Sequence, residues 1–249
     1  MSTYPWLLSS LPARRPRPTF WSALKEKHFL ALGTARARKH LHHPTYDFPD
    51  QFNIDAAAVT QELLTLLGDP RTAGDEDRLR DVMVKQLANR FAAGYRSMQA
   101  KGQDVRYTLT GTPRVTVSGL HFHYGPYPPP EGYARQQWWQ FIELVIPAED
   151  AQFTSHPRQK EIMKHAEDDG VYFKIDTRVD LDLEFVVVDK TSGMPLIRDR
   201  RRRVELQFVS PHFTPWDEVF ELDAEGEWLL RWKWRVSDVD WLVESGGDL

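Results

Sequence analysis

The chain has 249 residues, of which 41% are hydrophobic and 27% charged, a formal net charge of -4 and no cysteine. That size suffices for a domain with its own core and excludes disorder throughout. The missing cysteine excludes disulfides, thiolate zinc sites and a cysteine nucleophile. No apolar run approaches the roughly 20 residues that a membrane-spanning helix needs.

Positive charge gathers at the N-terminus. Residues 1–43 hold Arg14, Arg15, Arg17, Lys25, Lys27, Arg36, Arg38 and Lys39 against one acid, Glu26, giving +7 there and -11 elsewhere. An acid-poor, Arg-rich, Ser-containing start has the composition of an organelle transit peptide, although Pro5, Pro12, Pro16 and Pro18 oppose the usual amphipathic helix; a basic tail is the alternative. Trp21 to Leu41 reads as a helix, and Lys25, Lys27, Arg36, Arg38 and Lys39 form a candidate contact for RNA or anionic lipid. The turn formers from His43 to Asp50 mark a link, so residues 1–49 are expected to be a basic extension, 50–242 the folded domain and 243–249 a tail.

Asn53 and Asp55 offer caps for a helix over 56–67, ended by Gly68-Asp69-Pro70. Leu79, Val82, Met83, Leu87, Phe91 and Tyr95 recur at spacings of three and four, which predicts a helix over 75–98 with one core-facing stripe. Beyond Gly102 the periodicity becomes alternating. Strands are expected at 105–109 and 115–124, joined by a turn at Gly111-Thr112-Pro113. A proline-rich loop at 126–132 follows, then a strand over 137–146. A helical patch is expected at 159–166, then strands at 171–189, 196–209, 218–222 and 228–236. Helices first and a meandering antiparallel sheet afterwards make an α+β fold, with the helices on one face of a strongly curved sheet.

The run Arg200-Arg201-Arg202-Arg203 needs an explanation in an acidic protein. Strict alternation places Asp180, Asp182 and Glu184 on the outer face of the preceding strand, with Arg201 and Arg203 opposite them as cross-strand pairs. Arg200 and Arg202 would then point inward, towards a pocket carboxylate or a bound anion. In "WLLRWKWRV", Arg231, Lys233 and Arg235 alternate with tryptophans. That pattern suits either a half-buried strand with solvated cations or a contact for nucleic acid.

Catalytic motifs are sparse. His121 and His123 share a strand face without an evident third metal ligand, and Glu167-Asp168-Asp169-Gly170 lacks the spacing of a calcium loop. Neither a phosphate-cradling glycine loop nor a nucleophile elbow occurs, and no cofactor is indicated. His121, His123 and Tyr124 could still line a pocket for proton transfer, together with Arg200 and Arg202.

The basic start, the helical stretch "DEDRLRDVMVKQLANRF", the long bent sheet and the closing "DEVFELDAEGEWLLRWKWRV" resemble a known domain. It is shared by the matrix-side subunit of the mitochondrial inner-membrane import translocase, the related mitoribosomal large-subunit protein and the inner-membrane ribosome receptor. The matching features are Phe220-Glu221, Gly226, Trp228 and Arg231. The pattern covers residues 50–240; the loop at 126–132 and the polar stretch 149–170 depart from it as insertions, and the N-terminal helix is short. The resemblance implies a cystatin-like or nuclear-transport-factor-like cone without catalysis or cofactor. It also implies a matrix location, with the mitochondrial ribosome, its RNA or the anionic inner-membrane surface as partner. The competing expectation is a small-molecule enzyme of the cone type, a dehydratase or isomerase.

Overall fold

The long alternating segments of the second half build the frame on which everything else is placed. In chain order the strands are β1 (Gln103–Tyr124), β2 (Tyr133–Trp139), β3 (Ile142–Pro147), β4 (Val171–Asp189), β5 (Pro195–Val209), β6 (Phe220–Leu222), β7 (Trp228–Leu230) and β8 (Arg235–Val239). Six of them form one sheet in the order β2-β3-β1-β4-β5-β8, and β6 pairs with β7 in a separate hairpin. The helices are α1 (Phe20–His40), α2 (Asp50–Gly68), α3 (Glu76–Arg80), α4 (Lys85–Ala100) and α5 (His156–Asp169). This computed structural model describes residues 6, 20–41, 43, 46–152, 156–214, 219–240 and 242. The presequence-like segment apart from Trp6, the start of the strand expected at 218–222 and the tail 243–249 lie outside the described residues.

The fold is α+β, as the order of elements implies, with helices packed on one face of the sheet. Phe52 of α2 meets Phe208 and Trp234 edge-on, at 5.8 and 4.9 Å between ring centroids. Gly33 lets α1 lie close against β1, since a Cβ there would sit 3.1 Å from the Leu120 Cβ. Phe52, Phe91, Phe122, Phe173, Phe208 and Trp234 are fully buried between the layers, each burial stabilising by about 1.5–3 kcal/mol. Ala37, Leu41, Tyr46 and Phe48 belong to the same core. The second half of the expected extension 1–49 is therefore packed into the body, and residue 49 does not divide two packing units.

Five local expectations change. The turn at 111–113 is instead a bulge within a single 22-residue strand, because β1 pairs with β4 on both sides of it, Thr110 with Asp182 and Arg114 with Asp180. The segment 137–146 is a hairpin turned at Gln140 and Phe141, where Phe141 is buried against Phe29 and Phe122. Its second strand, β3, runs parallel to β1, so the sheet is mixed and not a pure meander. The helix expected over 75–98 breaks between α3 and α4: Val84 N–H donates to Val236 O at 2.9 Å and Val236 N–H to Val82 O at 2.8 Å. Lastly, the strand expected over 228–236 divides into β7 and β8, which lie in different sheets.

Irregularities align across three strands. The bulge of β1 at Thr110/Arg114 faces a second one between β4 and β5 at Asp180/Leu183. Aligned bulges bend a sheet and re-aim the side chains beyond them. That displacement decides where the arginines go.

Candidate functional site

Register determines the arginine run. Asp180 pairs with Arg203, but after the bulge Leu183 opposes Arg201 and Glu184 opposes Arg200. Arg203 Nε accordingly donates to Asp180 Oδ1 at 2.8 Å, as expected. It is Arg200 that reaches Asp182, Nε to Oδ1 at 2.6 Å, and Arg198 that meets Glu184 at 2.8 Å. Arg201 turns the other way and is mostly covered, 3.5 Å from Asp199 and 3.9 Å from Asp240. The inward assignment of Arg200 is thus overturned, and Arg202 is exposed. Strict alternation failed because a bulge shifts the parity of the pair.

The five residues proposed to line a pocket do not converge. Tyr124 points to the helices and is fully buried, whereas His121 and His123 face the outer side of β1. There His121 Nε2 is 3.4 Å from Asp176 Oδ2 and His123 Nδ1 is 3.4 Å from Glu143 Oε1. Burial lowers the pKa of His123, opposed by Glu143. Among the described residues no group of three His, Asp or Glu is placed to hold a metal. A cavity of ≈ 10 Å³, room for about one water, lies beside Asp176, Gln207 and Asp238 rather than beside Tyr124.

The cations also separate. Arg231 Nε lies 3.5 Å from Glu221 and Lys233 Nζ 3.7 Å from Glu62 on α2, while Arg235 is exposed at the start of β8. With Trp228 exposed and Trp234 buried, the alternation over 228–236 does not build one cationic face.

A polar cluster that was not foreseen joins α1 to the sheet and to α5. Arg36 Nε donates to the Tyr124 hydroxyl at 2.6 Å, and His40 Nε2 lies 3.0 Å from the same oxygen. Glu167 receives Lys39 Nζ at 2.6 Å and Arg36 Nη2 at 3.3 Å. The Arg36 guanidinium also stands over the Tyr124 ring, 5.1 Å from its centroid. Burial drives the His40 pKa down to about 4, against the pull of Glu167, so the ring is neutral at pH 7. Burial likewise pushes the Tyr124 phenol upward, opposed by Arg36. Burial favours a protonated Glu167, but Lys39, His40 and Arg36 outweigh it and keep the carboxyl below its usual range. The one sequence cue was the four-residue spacing of Arg36 and His40, alongside Gly33, Ala37 and Leu41. A helix face carrying both small apolar and long basic residues is a docked face.

The first half of α1 does the opposite. Trp21, Leu24, Lys25, Glu26, Lys27 and His28 are all exposed, with Trp21 at 70%. Phe29 reaches the sheet, its ring 5.7 Å from that of Phe141. Trp139, 50% exposed, stands beside Phe141 at the β2–β3 turn. Among the described residues no carboxylate pairs with Lys25 or Lys27, whereas Arg38 Nε donates to Phe48 O at 2.6 Å and Nη2 lies 3.5 Å from Asp47. Of the five cations expected on one basic face, two project freely from the body and three are engaged within it.

No helix among the described residues is long and apolar enough to cross a membrane. No family model matches the chain, and no curated protein matches it. Among solved structures, the intermembrane space region of the chloroplast protein ARC6 is similar over 75% of this chain and 93% of that one, at 10% identity and a TM-score of 0.33. At that level the likeness transfers neither function nor partner.

Proposed function

We propose that the protein is a non-enzymatic mitochondrial binding protein that lies against the anionic inner membrane, in the neighbourhood of the mitochondrial ribosome. The observation that carries this reading is the projecting half of α1. It offers Lys25 and Lys27 together with exposed Trp21 and Leu24, and Trp139 stands at the same edge of the sheet. Indole rings beside lysines suit a lipid headgroup layer, where the rings sit at the interface and the cations meet phosphates. Arg14, Arg15 and Arg17 precede this half in the sequence and extend the same charge. The mitochondrial assignment rests on the presequence-like composition and on the family resemblance. The enzyme reading loses its support in the site, because His121 and His123 lie on the face opposite Tyr124.

Co-sedimentation with cardiolipin-containing vesicles tests the proposal. Each cation near an anionic surface contributes about 1 kcal/mol. Replacing Lys25 and Lys27 by Met should therefore weaken binding roughly 10- to 30-fold and flatten its salt dependence. Equal binding of the variant, or equal binding of neutral vesicles, rejects it. Fractionation of cells expressing a tagged chain without residues 1–20 tests the organelle assignment; undiminished mitochondrial recovery contradicts the transit-peptide reading.

A further inference from the structure

The outer face of the sheet carries an aromatic stack that no part of the membrane reading uses. Tyr127, in the loop Pro126-Tyr127-Pro128-Pro129-Pro130, is 62% exposed. Its ring lies nearly parallel to Tyr172, at 5.8 Å and 8°, and to His212, at 6.3 Å and 25°. Both neighbours are offset, which leaves much of the Tyr127 ring open. His123 lies tilted against Tyr172, with 5.3 Å between ring centroids.

The stack is held in place by its backbone. Gly125 N–H donates to Gly170 O at 3.0 Å, and His212 Nε2 meets Gly125 O at 2.9 Å. Val171 and Phe213 exchange two backbone hydrogen bonds, of 2.7 and 3.0 Å. Gly170 has φ +132 and supports the His212 ring so closely that a Cβ would lie 2.2 Å from it. At the far end of the loop Tyr133 N–H donates to Pro130 O at 3.2 Å and Ala148 N–H to Gly132 O at 2.9 Å. Three chain segments are pinned together, and they display one rigid, solvent-facing ring. Such a ring loses little conformational freedom on binding.

The surroundings are polar and basic. Arg135 is 60% exposed at its side chain and near enough to Tyr172 to favour its phenolate, against the larger effect of burial. Lys174 lies beside His123 on the next strand. Glu143 Oε1 lies 3.6 Å from Arg135 and 3.4 Å from His123. A proline-rich peptide needs an apolar groove; a strip of imidazole, guanidinium and ammonium around an open ring suits a base with its flanking phosphates.

We propose that the stack of Tyr127, Tyr172 and His212 docks single-stranded RNA, an unpaired base lying on Tyr127 while Arg135 and Lys174 meet the adjoining phosphates. The choice of RNA rests on the proposed function, which places the protein beside the mitochondrial ribosome. The site itself lies on the sheet, remote from the projecting half of α1.

Fluorescence anisotropy with a labelled single-stranded RNA of about 12 nucleotides tests this, since a stacked base contributes about 1–3 kcal/mol. Tyr127→Ala should weaken binding roughly 5- to 150-fold, with an unchanged thermal melt. Tyr127→Phe should bind as the parent does, and a duplex of the same sequence should be insensitive to both. Glu143→Gln, which removes the anion beside Arg135, should tighten binding. Absence of single-strand binding by the parent protein, or equal affinity of the folded Tyr127→Ala variant, overturns the proposal. So does a loss confined to a proline-rich probe peptide. Vesicle binding by Lys25 and Lys27 is read separately, so either proposal can fall while the other stands.

Discussion

The two halves of α1 share a helix and a charge, yet they have different physical roles. Lys25 and Lys27 extend into solvent, whereas Arg36 and Lys39 close on Glu167 beneath a buried His40. Counting cations along the sequence treats these residues as equivalent. Their surroundings do not, because a cation over the sheet must find a carboxylate or a hydroxyl to replace lost water. Residues 29–41 hold the helix to the body, whereas Leu24, Lys25 and Lys27 are exposed to solvent.

That contrast can be broken first at Arg36. Arg36→Met leaves Glu167 and the Tyr124 hydroxyl short of a partner in a largely covered site, and urea denaturation should show a loss of about 3 kcal/mol. Lys25→Met should stay within about 0.5 kcal/mol of the parent. Equal effects of the two would mean that α1 is not docked as described.

Acid tests the docked half next. The folded-state pKa of His40, about 4, lies below its ordinary 6.5. The unfolded chain therefore binds the extra proton first, and stability present above pH 6.5 declines as pH falls towards 4. Glu167, whose pKa is also lowered, acts in the same direction at the acid end of this range. Asp55 and Asp240, raised by burial, act with opposite sign. Comparison with His40→Gln isolates the histidine: the parent should lose roughly 1 kcal/mol more per pH unit between 6.5 and 4. Parallel pH profiles would show that His40 is not held neutral in the fold.

The projecting half should barely register in stability and strongly in partner binding. Leu24→Ala should leave the melt unchanged and reduce retention on anionic vesicles, as the interfacial burial of an exposed apolar side chain is lost. Undiminished retention would limit the contact to charge alone.

The smallest effect belongs to the arginine ladder, where both paired arginines and their aspartates are solvated. A double-mutant cycle on chemical denaturation should find a small favourable coupling between Arg200 and Asp182, and between Arg203 and Asp180, but none between Arg201 and Asp182. Coupling at Arg201 would restore strict alternation and remove the parity shift at the bulge.

Much of the fold was legible because its signals are local. The inward faces of 171–189 and 204–208 and the loop at 126–132 follow from alternation and from proline's missing N–H, and each is present; the caps expected at Asn53 and Asp55 are not, because both lie inside α2, which starts at Asp50 after Pro49 with no side-chain cap. The candidate site was much less legible. Its basic residues could be named, but Glu167 and Tyr124, which divide them into bound and available, lie 131 and 88 positions from Arg36. No periodicity of the helix reports on partners so distant.

By itself the sequence determined which segments are amphipathic, and on which side, because the 3.6- and 2-residue periods are properties of the backbone. It also determined the concentration of positive charge before residue 44. Only the tertiary structure decided the breaks. Val82 and Val84 end a helical stripe by taking the distant Val236 as their backbone partner, and the bulges at 110–114 and 180–183 move Arg200 outward and Arg201 inward. The same long-range packing brings Tyr127, Tyr172 and His212 into one stack from three separate segments. The reason is common to all three. A backbone group or ring takes whatever partner the assembled layers supply, and that supply depends on contacts between residues far apart in the chain.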